Sequence, residues 1–270
     1  DCGAVGPDEK VFCEWGSYHG RGFGRIGEYG NYQFGDLTVR EILVHSSNIG
    51  MAKIGQRMTP DELYNGLKLF GFGKKTGLEL PGEAEGLLHP AEKWTGYSLT
   101  RIPFGQEISV TAVQLVRAFC ILANDGRAIR PFLVGAIVDN DGRVIKPKRH
   151  ASQVGFVIKP GVARWIVTDC LVGAVNEGTG KKAKLRKWQV FGKTGTAQLA
   201  KSDGTGYSDS DYIASFVAGA PAEEPAVVVL VSICKPNVVL GRGYTGGTVA
   251  APAAAKILEK TLNYLGVPPI

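Results

Sequence analysis

The chain has 270 residues, 44% hydrophobic and 21% charged, enough apolar content for a substantial core and too much for a disordered chain. Its formal net charge of +6 is spread thinly, with short basic clusters only at Lys181-Lys182 and from Lys146 to Arg149. No basic stripe interleaved with aromatics is present, which argues against a nucleic-acid partner.

Residues 1–35 are rich in Gly and aromatics and read as loop. Within them Gly22-Phe23-Gly24-Arg25-Ile26-Gly27 matches a dinucleotide pattern by letters. It lacks the preceding strand and following helix that would give the match meaning. Thr38 with Glu41 forms a capping box that opens a short helix through Val39, Ile42 and Leu43. The polar run His45-Ser46-Ser47-Asn48 interrupts it, and a second apolar pattern follows at Ile49, Ala52 and Ile54. Thr59-Pro60-Asp61-Glu62 caps a third helix that stops at Gly71.

Residues 71–108 form a Gly/Pro-rich excursion. Thr111 and Gln114 cap a helix through Val113, Val116, Phe119 and Leu122. Asn140-Asp141-Gly142 marks a hairpin between Phe132–Val138 and Arg143–Ile145. Gly161 to Asn176 is helical. Strands are predicted at 188–198, 212–219 and 226–234, the last apolar on both faces and therefore central or covered. A helix from Pro252 to Leu265 closes over them. The expected class is α+β with a mostly antiparallel sheet.

Five cysteines and four histidines (His19, His45, His89, His150) show no metal-ligand spacing, so neither a metal site nor another cofactor is expected. Cys120, Cys170 and Cys234 read as buried free thiols within apolar patterns. Cys2 and Cys13 are the one plausible disulfide pair. The longest apolar run, Ala226 to Val231, is strand-sized and cannot cross a membrane. No signal peptide is visible, and the chain, beginning at Asp1, reads as a piece of something longer.

Phe191-Gly192-Lys193-Thr194-Gly195-Thr196-Ala197 carries the chemistry. A phosphate loop would need Gly where Lys187 stands and a helix directly after the threonine. The chain instead runs into the polar, turn-rich stretch from Gln198 to Gly204. On a strand, Thr194 and Thr196 share one face and Lys193 takes the other. Two hydroxyls beside an ammonium suit a carboxylate. Gly195 lets a ligand backbone approach, as an added strand would, and the Thr196 N–H suits a developing oxyanion. In Ser46-Ser47-Asn48, Ser46 is placed to relay a proton and Asn48 offers donor and acceptor to a substrate amide. The bland reading of that triplet alone is a polar interhelical turn.

Together, in this order, the two motifs resemble those of the transpeptidase domain of class B, monofunctional penicillin-binding proteins of the division/septum type. Further phrases carry the likeness: Gly71-Phe72-Gly73 with Thr76 to Glu83, Gly105-Gln106 with Ile108 to Thr111, and Leu122 to Gly126. Gly178-Thr179-Gly180, Tyr212 to Phe216, and Tyr244 with Gly246-Gly247 and Ala250-Ala251-Pro252 complete it. The resemblance implies the penicillin-binding-protein/serine β-lactamase-like fold. Residues 1–270 would be a partial transpeptidase domain: an N-terminal segment at 1–35, a mainly helical lobe at 36–180, and sheet strands with a C-terminal helix at 181–270.

It also implies D,D-transpeptidation of D-alanyl-terminated stem peptides by serine acyl transfer, with Ser46, Asn48 and Lys193 catalytic and Thr194, Gly195 and Thr196 substrate-binding. That family attacks with the serine of a Ser-x-x-Lys pair upstream of the Ser-x-Asn triplet. The only such spacing here is Ser232-Ile233-Cys234-Lys235, on a predicted strand where the two side chains would face opposite sides. The expectation is an N-terminally truncated, incomplete domain with three of five strands, inactive by itself and exposing a sheet edge.

The implied partners are peptidoglycan stem peptides, β-lactam antibiotics, the division or elongation machinery, and the absent segment as a separate chain. The implied place is the extracytoplasmic face of a bacterial membrane, with the anchor outside this chain. A D,D-carboxypeptidase or β-lactamase-like hydrolase is the alternative within the class. A non-catalytic peptide- or partner-binding module is the alternative outside it.

Overall fold

A computed structural model describes residues 2–145, 155–201, 203, 206–241 and 243–269; the Lys146–Arg149 cluster and His150 lie outside them. In chain order the elements are β1 (Lys10–Phe12), β2 (Ser17–Gly20), β3 (Gly24–Gly27), β4 (Asp36–Thr38), α1 (Val39–His45), α2 (Asn48–Gly55) and α3 (Pro60–Phe70). There follow β5 (Leu87–Leu88), α4 (Ser98–Arg101), β6 (Ile108–Ser109), α5 (Ala112–Ala123), β7 (Ile137–Val138), β8 (Val144–Ile145), α6 (Pro160–Trp165) and α7 (Val172–Asn176). The chain ends with β9 (Phe191–Ala200), β10 (Tyr207–Ala220), β11 (Val227–Cys234) and α8 (Ala251–Tyr264).

The three capping boxes form as the sequence predicts. Thr38, Thr59 and Thr111 each accept from the N3 backbone while Glu41, Glu62 and Gln114 reach back. Each box satisfies two backbone donors that a helix start otherwise leaves open. The first 35 residues are not all loop. β1 pairs antiparallel with β4, and β2 with β3. Their inward side chains Val11, Phe23, Ile26 and Leu37 bury with Ile42, Ile49 and Ala52 of α1 and α2. Gly22, at φ +88°, turns the chain between β2 and β3, so the dinucleotide-like letters serve a hairpin.

The three late strands form an antiparallel sheet in the order β11-β10-β9. Among the described residues β10 is therefore central and β11 lies at an edge. Of the two causes expected for the apolar character of β11, cover is the one present, and it is on both faces. Val227, Val229, Val231 and Ile233 pack into the α8 side, while Val228 packs into the opposite cluster with Phe191, Leu171 and Val172. On the α8 side, Ala251, Ala254, Ala255, Leu258 and Leu262 recur at helical spacing and are all buried. Three of these five are alanines, which let the helix lie close over Phe216, Ala218 and Ala220.

The predicted helix over Gly161–Asn176 is continuous in direction but widens to π geometry between α6 and α7, at Ile166–Leu171. Within that turn the Thr168 hydroxyl donates to the Arg164 carbonyl at 3.0 Å and competes with the backbone ladder. All five cysteines are free. Cys13 is buried beside Ser47 while Cys2 is exposed, so no disulfide joins them. Of the three thiols expected to be buried, Cys234 is exposed at the end of an edge strand, Cys120 is only half-buried, and Cys170 alone faces solid core. Among the described residues no helix is long and apolar enough to cross a membrane.

Candidate active site

β9 pairs with β10 from Phe191 opposite Gly219 to Gln198 opposite Tyr212. Its other side has no strand partner among the described residues. Alternation places Thr194, opposite the fully buried Phe216, on the α8 face and Lys193, opposite Val217, on the face toward α1 and α2. The Thr194 hydroxyl pairs with that of Thr179 at 2.7 Å. The Thr196 hydroxyl accepts the Gly246 N–H at 3.2 Å and keeps its own proton to donate. At Gly195 a Cβ would stand 2.6 Å from Ser215 Oγ, so a side chain there would displace that hydroxyl. Gly246 is packed harder still, with backbone oxygens of Ser215 and Gly195 at 2.1 and 2.6 Å from the position of a Cβ.

Lys193 crosses to the helical side. Its ammonium donates to Ser46 Oγ at 2.6 Å and toward the Thr194 carbonyl at 3.4 Å. Part of the side chain still reaches solvent, yet protein surrounds the nitrogen. Burial therefore lowers the lysine from 10.5 to about 8. Near neutral pH the group is still mostly charged, but close enough to its midpoint to exchange a proton with a neighbour.

Ser46, Ser47 and Asn48 sit where α1 hands over to α2. Ser46 ends α1 in the left-handed region at φ +60°, uncommon for a residue with a Cβ. Ser47, fully buried, is the N-cap of α2 and accepts the Gly50 N–H at 3.0 Å. Asn48 is the first residue of α2, and its side-chain N–H donates to the Gly27 carbonyl at 3.0 Å. The structure thus joins Lys193 and Ser46 directly and places Thr194, Gly195 and Thr196 on the same short strand. Asn48 is reached through the turn it shares with Ser46. Ser232-x-x-Lys235 takes no part. Ser232 lies in β11 opposite Ser215, and Lys235 pairs with Asp211 at 2.8 Å.

Several residues beside the site are not singled out for it in the sequence: Glu28 and Tyr29 carry no local signal, and Tyr212 and Tyr244 stand out only as parts of family-like phrases. Glu28 follows β3 and accepts from the start of α2. Tyr29 donates to the Tyr244 hydroxyl at 3.0 Å, and the Tyr244 ring stacks on Tyr212 with centroids 4.4 Å apart. Burial, then the bond to Tyr244, raises the Tyr29 phenol above its usual range. These tyrosines bridge the N-terminal segment and the sheet next to Thr196. Their separation in the chain hides them from any periodicity. Thr179 was visible only as part of a Gly-Thr-Gly phrase.

Comparison with known proteins supplies the family. The sequence profile of the penicillin binding protein transpeptidase domain matches residues 1–259. Stage V sporulation protein D of Bacillus subtilis is 36% identical over 232 residues, covering 86% of this chain and 35% of that protein. A Pseudomonas aeruginosa protein named probable peptidoglycan D,D-transpeptidase PbpC is 34% identical over 234 residues, covering 86% of this chain and 38% of its own length. The chain therefore spans little more than a third of these curated relatives. The crystal structure of Mycobacterium tuberculosis penicillin binding protein 3 complexed with aztreonam superposes with a TM-score of 0.86 at 28% identity, over 99% of this chain and 60% of that one. Two motifs brought to 2.6 Å, on a sheet and a helical lobe arranged as in solved members, leave one conclusion: the chain belongs to the penicillin-binding-protein transpeptidase family, on its class B, division-type side.

Proposed function

We propose that this chain supplies the substrate-receiving part of a peptidoglycan D,D-transpeptidase, which cross-links stem peptides by serine acyl transfer. The observation that carries the reading is the Lys193–Ser46 contact at 2.6 Å, directly behind a strand edge that presents Thr194 and Thr196. An extended peptide added to the open edge of β9 would lie along Gly195. Its terminal carboxylate would meet the two threonine hydroxyls, with the Lys193 charge beside them. Asn48 would hold a substrate amide, and Ser46 with Lys193 would pass a proton to the departing D-alanine amine. β-Lactams would occupy the same place, in keeping with the aztreonam complex of the mycobacterial relative. Wall cross-linking would place the protein on the extracytoplasmic side of the membrane, among the division or elongation machinery.

On this reading none of these 270 residues serves as the nucleophile: the sole Ser-x-x-Lys has its serine on β11 and its lysine paired with Asp211. The expected result with a fluorescent penicillin, read on a denaturing gel, is no band for this chain alone. A protein carrying the chain together with a Ser-x-x-Lys segment should label, and a D-Ala-D-Ala peptide should compete. Label on the isolated chain would overturn the assignment of the nucleophile. Failure of the longer protein to label would overturn the reaction. Product analysis with and without an amine acceptor separates transpeptidation from hydrolysis.

A further inference from the structure

Glu28 takes three donors from consecutive residues at the start of α2. The Ser47 hydroxyl donates at 2.5 Å, the Asn48 N–H at 2.7 Å and the Ile49 N–H at 3.3 Å. The adjoining Gly27 carbonyl takes the Asn48 side chain. Both acceptors sit on a firm base. Ile26 and Phe23 are buried in the N-terminal core, and the Arg101 guanidinium donates to the Phe23 and Arg25 carbonyls at 3.2 and 2.9 Å. The backbone of the turn is closed by Ser46 and Ser47 N–H groups donating to the Ile42 carbonyl, with Ser46 left-handed, while the Asn48 and Ile49 N–H groups that follow find their acceptor in Glu28.

We infer that Glu28 is a positioning residue for the Ser46-Ser47-Asn48 turn, fixing Ser46 under the Lys193 ammonium and aiming the Asn48 amide at the substrate. The inference rests on the acyl-transfer reading for its catalytic consequence. Glu28 acts by geometry and not by charge on Lys193, whose lowered affinity for its proton comes from burial alone. A carboxylate suits the task because two oxygens accept three donors at a helix start, where the open N–H groups favour negative charge. Misplacing a substrate-orienting group by about 1 Å can cost on the order of a hundredfold in rate.

The test uses a protein that carries this chain with an acylating serine. Acylation by a fluorescent penicillin is timed for wild type, Glu28→Ala, the isosteric Glu28→Gln, Asn48→Ala and the Glu28→Ala/Asn48→Ala double variant. Glu28→Ala should slow acylation roughly tenfold to a hundredfold, with the pH midpoint set by Lys193 unmoved. Glu28→Gln, which keeps one acceptor, should fall between. The double variant should be slower than Asn48→Ala alone by less than the Glu28→Ala factor, because part of what Glu28 does is to place Asn48 and the rest is to place Ser46. Losses that multiply, or a shifted pH midpoint, would overturn the inference.

Hydrogen exchange provides a reading independent of acylation. The Asn48 and Ile49 amides should exchange faster in Glu28→Ala and Glu28→Gln, while amides along β9 and β10 stay protected. Unchanged exchange at Asn48 and Ile49 overturns the inference. If exchange speeds up but the wild-type protein is never acylated, the positioning role stands and the acyl-transfer reading falls.

Discussion

Lys193 to Thr196 lie on a strand zipped to β10 and backed by Phe216 and Phe191, both with no exposed surface. Ser46 to Asn48 lie on a turn between two short helices, where backbone bonds from Ser46 and Ser47 to the Ile42 carbonyl are joined by contacts of the Ser47, Glu28 and Lys193 side chains. The first half of the site is a product of backbone pairing and core packing. The second adds a few polar side-chain contacts, each of which a single substitution removes. A site built this way keeps one wall rigid and leaves the other adjustable by small changes in sequence, because strand ladders depend little on side-chain identity while polar turns depend on it more.

The comparison would break first at the core under the strand. Phe216→Ala should destabilise the fold by about 3–5 kcal/mol, through lost burial and a cavity beneath Thr194. Urea denaturation measures it. A loss comparable to a surface substitution would mean that the strand is not braced from below.

Lys193 sharpens the contrast, since it belongs to the rigid wall yet serves the polar one. Its pKa is lowered from 10.5 to about 8 on folding. Below about 8 both folded and unfolded chains hold the proton, and the burial cost is fully present. Between about 8 and 10.5 the unfolded chain still binds a proton that the fold has released, so stability rises with pH through that window. Lys193→Met should remove this rise, about 3 kcal/mol across the window, and stabilise the fold below it by that amount less what the lost Ser46 bond contributed, about 1 kcal/mol, while abolishing carboxylate capture. Denaturation on either side of the window, alongside binding of a D-Ala-D-Ala peptide, checks both signs.

The smallest expected effect lies on the turn side. Thr38→Ala removes one capping box from α1 and should cost about 1 kcal/mol, visible as a modest shift in the urea midpoint. Because α1 delivers Ser46, acylation of the longer protein should fall more than stability does. Equal losses would show that the turn is as well braced as the strand.

Local signals made much of this legible. Capping boxes at Thr38, Thr59 and Thr111 marked three helix starts, since their partners stand only three residues away. The Asn140-Asp141-Gly142 hairpin and the three long strands followed from turn chemistry and apolar runs. The short strands β1 to β4 stayed hidden because glycine and aromatics mask any alternation in the β2–β3 hairpin, and the pairing of β1 with β4 joins residues distant in the chain. The apolar pattern of β11 marked it as central or covered, and only the sheet order decided between them, because both situations leave the same pattern.

The site divides along the same line. Residue types and order in Lys193-Thr194-Gly195-Thr196 and Ser46-Ser47-Asn48 determined the chemistry on offer, because a strand's alternation assigns each side chain to a face before any fold is known. Only the tertiary structure decided that Lys193 Nζ stands 2.6 Å from Ser46 Oγ, that burial brings that lysine to about 8, and that Glu28 holds the turn. Distance, desolvation and long-range hydrogen bonding are properties of packed neighbours, and no spacing along the chain encodes them.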